Sequence, residues 1–126
     1  MSMRTQLSKV RGLGSAKGGT LHFWQQRLTA LALVPLVIFF TGLVVVLASA
    51  DYATAKEIMA SPIVVILFGL FVIAGVMHMR LGMQVVIEDY VHSEGLKVLA
   101  IAGNTLVSCA IGFACLFAVL KLGFGA

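Results

Sequence analysis

Three long runs without a charged residue set the hydrophobic pattern of this 126-residue chain. Leu28 to Ala50, Ile58 to Met79 and Val98 to Leu120 contain no Asp, Glu, Lys or Arg over 22 or 23 residues each. About 20 apolar residues in an α-helix cross a hydrocarbon core, and backbone polar groups in lipid must be satisfied within the helix itself. The pattern predicts an all-α integral membrane protein with three transmembrane helices, at residues 24–50, 58–90 and 96–121. Together they form a membrane domain over residues 24–126, preceded by a basic arm, residues 1–23. Pro35 falls inside the first span and is expected to bend it, with neighbours satisfying the freed carbonyl. Residues 51–57 read as a short turn with Tyr52 as an interfacial anchor, and Pro62 suits the first turn of the second helix. His92 to Gly95 read as the next turn.

Composition agrees with this reading. The chain is 60% hydrophobic and 11% charged, against about 45–50% and about 25% in soluble domains. Residues 1–27 carry Arg4, Lys9, Arg11, Lys17 and Arg27 and no acid. Arg80 and Lys97 flank the second connection, whereas the first connection holds only Lys56 and the C-terminal tail only Lys121. The Lys/Arg bias places the N-terminus and the second connection on the cytoplasmic side. The net charge of +4 comes from this asymmetry. No cationic stripe interleaved with aromatics marks a nucleic-acid partner; the partner read from composition is the lipid bilayer.

The arm carries Gly12, Gly14, Gly18 and Gly19 among serines and cations, too little apolar surface to fold alone. It has the charge of a transit peptide but is read as a cytoplasmic arm of the mature chain. Trp24 suits the aromatic belt. Cys109 and Cys115 lie six residues apart in the third span, on different faces of a helix, and read as small packing residues. No C-x-x-C or Cys/His spacing offers a cluster or zinc site. Asn104, Thr105 and Ser108 are expected to hydrogen-bond across helices.

The candidate chemistry gathers in Gly75 to His92. His78 alone among three histidines lies deep in apolar sequence, and an ionisable residue there is costly enough to suggest function. Haem ligation, proton relay and a simple interhelical hydrogen bond all remain open on this ground. Gly75 and Gly82 share its helix face and would admit a neighbouring helix or a flat cofactor. His22 and His92 lie at span edges, so a mid-membrane haem would need its second ligand from another chain. Asp89 and Tyr90 follow roughly 16–18 Å along the same rod, where an anchor role and a hydrogen bond to a quinone carbonyl are both chemically sound. Arg27 and His22 could either snorkel or hold an anionic group.

The segment H-M-R-L-G-M-Q-V-V-I-E-D-Y-V-H resembles the second helix of the hydrophobic membrane-anchor subunits of succinate dehydrogenase. His78, Gly82, Met83, Asp89, Tyr90 and Val91 match that pattern in register. The approach G-S-A-K-G-G-T-L-H-F-W-Q-Q-R-L-T-A resembles its alphaproteobacterial form. The resemblance implies one half of a two-subunit anchor bundle in a bacterial inner membrane, in preference to a mitochondrial one. It implies haem b with His78 as an axial ligand, Arg27 and His22 beside the propionates, and ubiquinone held by Tyr90 with Asp89. His22 matches with a one-residue difference in its spacing to Arg27. The implied partners are a cytochrome b anchor subunit, an iron–sulfur subunit and a flavoprotein subunit that oxidises succinate. A fumarate reductase anchor, or a haem-free small transporter or assembly subunit, is the alternative.

Overall fold

The computed structural model describes residues 5–12 and 18–125, which contain helices and no strand. The rest of the basic arm, including Arg4 and Lys17, lies outside the described residues. α1 (Gln6–Val10) is one short helix in that arm. α2 (Gly18–Ala48), α4 (Pro62–Tyr90) and α5 (Glu94–Gly123) are the three helices long and apolar enough to cross a membrane. α3 (Tyr52–Ala60) is a separate nine-residue helix between α2 and α4.

The helix limits differ from those expected, for local reasons. α2 starts at Gly18 rather than at residue 24, because extending an existing helix costs far less than nucleating one. It runs unbroken through Pro35. Residues 51–57, read as a turn, are helical from Tyr52 onward. Ala53, Ala55, Lys56, Glu57 and Met59 are good helix formers, and Asp51 stands at the N-cap position in an extended conformation, φ −72 and ψ 167. No first-turn amide meets strict hydrogen-bond geometry with its carboxylate. The nearby Thr54 hydroxyl still leads the groups that hold Asp51 below the usual carboxylate range, with the Thr54 and Ala53 amides assisting. α3 ends at Ser61, whose N–H donates to the Ile58 carbonyl at 3.1 Å. The residue before a proline is pushed out of the helical region, and Ser61 is accordingly extended at ψ 128. α4 therefore begins at Pro62 rather than at residue 58, with proline at the position where a missing N–H costs nothing.

α4 is the central helix. It packs against α2 on one flank and α5 on the other, α3 touches α4 and α5, and α2 and α5 share no comparable interface. Leu43, Val72, Leu81, Val119 and Ser108 are the buried residues among those described. A water-soluble protein could not leave so much apolar surface open, but lipid tails are as apolar as leucine. Close approach does the packing instead. A Cβ on Gly112 would lie 3.4 Å from Val76 Cγ1, and one on Gly123 would lie 2.7 Å from Val65 Cγ2. Toward the far end of α2, Phe40 stacks on Phe71 at 4.6 Å and meets Phe68 at 5.6 Å. Such pairs contribute about 0.5–1.5 kcal/mol each beyond their area.

Polar groups tie α5 to α4. Asn104 Nδ2 donates to the Arg80 carbonyl at 2.9 Å, and the buried Ser108 hydroxyl reaches Asn104 Oδ1 at 3.5 Å. Thr105, expected to join them, makes no cross-helix bond to a described residue. Cys109 and Cys115 are unpaired and exposed. They are expected to pack, but no described residue of this chain covers them.

Candidate functional site

The α2–α4 seam sets the surroundings of His78. A Cβ on Gly75 would lie 4.0 Å from Leu33 Cδ2, and one on Gly82 would lie 3.9 Å from Gln26 Nε2. Seven residues on one helix thus match seven on the other, an antiparallel register that sets Ala30 opposite His78. The two glycines face the neighbouring helix. Of the two roles open to them, admitting that helix is the one this geometry favours.

His78 is partly buried, and its ring spans the seam. Nδ1 lies 3.2 Å from the Thr29 hydroxyl. Thr29 Oγ1 itself donates to the Gln25 carbonyl at 2.8 Å, with Gln26 O at 3.1 Å. Nε2 makes no hydrogen bond to any described residue. The ring borders two adjoining cavities along α2. One, ≈ 360 Å³, is lined by Phe23, Gln26, Arg27, Ala30 and His78. The other, ≈ 340 Å³, is lined by Ala30, Leu33, Val34, Val37 and His78. The first ends in a guanidinium and the second has aliphatic walls. Arg27 Cζ lies 5.3 Å from the Phe23 ring centre, which steers the cation along this face.

Of the residues singled out in the sequence, the fold brings Arg27 and His78 to one cavity. His22 is not among its lining residues. It lies four residues before Gln26 on the stripe facing α4, and its Nε2 is buried without a partner among the described residues. Asp89 and Tyr90 end α4, both exposed, on the rod that carries His78 but away from its cavity. The Tyr90 side chain is 77% exposed, so its hydroxyl is open to a ligand or partner. Glu88, beside them, accepts from Gln84 Nε2 at 2.8 Å. Sequence reasoning missed Thr29, because a threonine in an apolar run carries no signal until the opposite helix is in register.

No group of three or more His, Cys, Asp or Glu among the described residues could hold a metal ion. The donor set suits an iron porphyrin, which presents an open axial position to one imidazole. The aliphatic wall fits its ring and Arg27 fits an anionic edge.

Three helices long and apolar enough to cross a bilayer define a multi-pass membrane protein, with a half-buried imidazole in the seam between two of them. Comparison with known proteins makes this specific. The family model described as succinate dehydrogenase/fumarate reductase transmembrane subunit matches residues 1–119, and the chain belongs to that family. It is 31% identical over 125 residues to the succinate dehydrogenase hydrophobic membrane anchor subunit of Paracoccus denitrificans, covering 97% of this chain and 94% of the relative. The subunit of that name from Rickettsia bellii (strain RML369-C) is 32% identical over 120 residues, covering 95% and 96%. The succinate dehydrogenase membrane anchor subunit of Reclinomonas americana is 30% identical over 96 residues, covering 68% and 73%. No solved structure matches significantly.

Proposed function

We propose that this chain anchors a succinate:ubiquinone oxidoreductase in a bacterial inner membrane, shares haem b with a cytochrome b subunit, and forms part of the ubiquinone-reduction site. The observation that carries this reading is His78, inside an apolar span, with one ring nitrogen engaged by Thr29, the other unengaged, and its side chain bordering one cavity lined by Arg27 and a second with aliphatic walls. The haem, when bound, supplies a one-electron store. His78 would ligate it together with a residue of the cytochrome b partner, and Arg27 would hold a propionate. His22 lies off the lining of that cavity, so its part in holding propionates rests on the family resemblance alone.

At the other end of the same rod, Tyr90 donates its hydroxyl to a quinone carbonyl and Asp89 supplies a proton. Two electrons delivered by the iron–sulfur subunit, with two protons, take the quinone to the quinol; succinate is oxidised on the flavoprotein subunit. The Lys/Arg bias supports a cytoplasmic N-terminus, which puts Tyr90 on the side where water-soluble subunits would dock.

Two variants of the purified complex test this. His78→Ala is expected to abolish the low-spin haem signal, and an unchanged spectrum would remove the ligand assignment. Tyr90→Phe is expected to slow ubiquinone reduction while leaving succinate oxidation by an artificial acceptor intact. Equal loss of both activities would indicate a folding or assembly defect, and unimpaired ubiquinone reduction would remove the quinone assignment.

A further inference from the structure

We infer that Thr29 is a positioning residue that locks His78 in the tautomer able to bind iron; this rests on the reading of His78 as the axial ligand. A threonine hydroxyl has one proton to donate and two lone pairs. Thr29 gives its proton to the Gln25 carbonyl at 2.8 Å, the back-bond that a helical threonine makes to the preceding turn. The 3.2 Å contact with His78 Nδ1 must then run the other way. Nδ1–H donates and Thr29 Oγ1 accepts. In a neutral imidazole only one nitrogen carries a proton, so Nε2 holds the free lone pair.

The lock is stiff at both ends. The β-branched Thr29 side chain has few χ1 states, and its back-bond fixes which one is used. The α2–α4 register holds Thr29 against the ring through Leu33–Gly75 above and Gln26–Gly82 below. Metal-bound histidines generally donate their second N–H to a fixed acceptor, which orients the ring and raises its basicity. Here the acceptor is a neighbouring helix of the same chain, so the α2–α4 seam itself becomes part of the iron site.

Thr29→Val keeps the branched shape and deletes the acceptor, Thr29→Ser keeps the acceptor and deletes a methyl, and Thr29→Ala deletes both. The purified complex is assayed for haem retention against a haem-scavenging apoprotein, for the g-values of ferric haem b, and for its midpoint potential. Thr29→Val is expected to lose haem roughly 10–100-fold faster, the usual effect of deleting such a partner. A weaker donor also favours ferric iron less, and each tenfold fall in the ratio of ferric to ferrous affinity raises the midpoint potential by about 59 mV. Thr29→Ser is expected to match the unaltered complex in all three. If Val does not assemble, Ala takes its place in the comparison with Ser. Unchanged g-values, potential and haem retention in the hydroxyl-free variant would overturn the lock. His78→Ala, run in parallel, separates the two failures. Persistence of the low-spin signal there refutes the ligand reading, whereas its loss alongside a silent Thr29→Val refutes the lock alone.

Discussion

Replacing glycines by alanine along α4 and α5 should produce effects of opposite sign, ordered by the space each new methyl finds. In a helix interior alanine is favoured over glycine by about 1 kcal/mol. In lipid the gain is expected nearer half of that, because part of the glycine penalty comes from exposing backbone to water. At Gly82 the methyl would meet Gln26 Nε2 at 3.9 Å, an ordinary contact, so Gly82→Ala should stabilise the complex by about 0.5 kcal/mol. At Gly112 the nearest atom is Val76 Cγ1 at 3.4 Å; a small shift of the valine offsets the gain and the net change should stay within about 0.5 kcal/mol. At Gly123 the methyl would lie 2.7 Å from Val65 Cγ2 and 3.1 Å from Cγ1. A β-branched valine has little freedom to swing away, and Gly123 closes α5, where helix propensity returns least. Gly123→Ala should therefore cost about 1–3 kcal/mol, the usual range for overpacking. Thermal unfolding of the purified complex in a single detergent, followed alongside haem absorbance, ranks the three. The reasoning fails if Gly123→Ala unfolds at the unaltered temperature. It fails differently if Gly82→Ala assembles normally yet loses haem, because that glycine would then be making room for the porphyrin.

Asn104→Ala removes the 2.9 Å bond to the Arg80 carbonyl. That carbonyl keeps its place in the α4 ladder, so the cost should be about 0.6 kcal/mol and no more than about 1.7, the span measured for hydrogen bonds between membrane helices; a loss above 3 kcal/mol in a steric-trap unfolding assay would show a larger network than the one described. Leu81→Ala, at a position 2% exposed, should cost more than Asn104→Ala in the same assay, because a cavity in a packed seam forfeits contacts that lipid cannot restore. Asp51 is held below its ordinary range chiefly by Thr54. Its folded value is depressed, so its contribution to the start of α3 is full above the unfolded value of about 3.9 and is lost as pH falls through the folded one. Hydrogen exchange at the first turn of α3 should accelerate below about pH 4 relative to the rest of the helix, and Asp51→Asn should flatten that profile.

The sequence makes the spans plain, because crossing lipid requires about 20 apolar residues and Leu28–Ala50, Ile58–Met79 and Val98–Leu120 meet that need without a charge. α3 was hidden because nine residues of mixed polarity show too little periodicity to separate a helix from a turn. The importance of His78 was visible from the cost of placing an imidazole in lipid. Its surroundings were not. Thr29 and Arg27 come to it only through the α2–α4 register, which depends on how Gln26 and Leu33 sit over Gly82 and Gly75. The same register carries His22 toward α4 and away from Arg27, a separation that proximity in sequence conceals.

Because α2 and α5 grip opposite flanks of α4 without an interface of their own, the chain behaves as two hinged leaves on one spine. Loosening one seam is then expected to leave the other closed, as between neighbours in a stacked-repeat protein. A chain newly inserted in the bilayer could thus admit a broad, flat ligand edgewise at His78 while α5 stays docked on the far side.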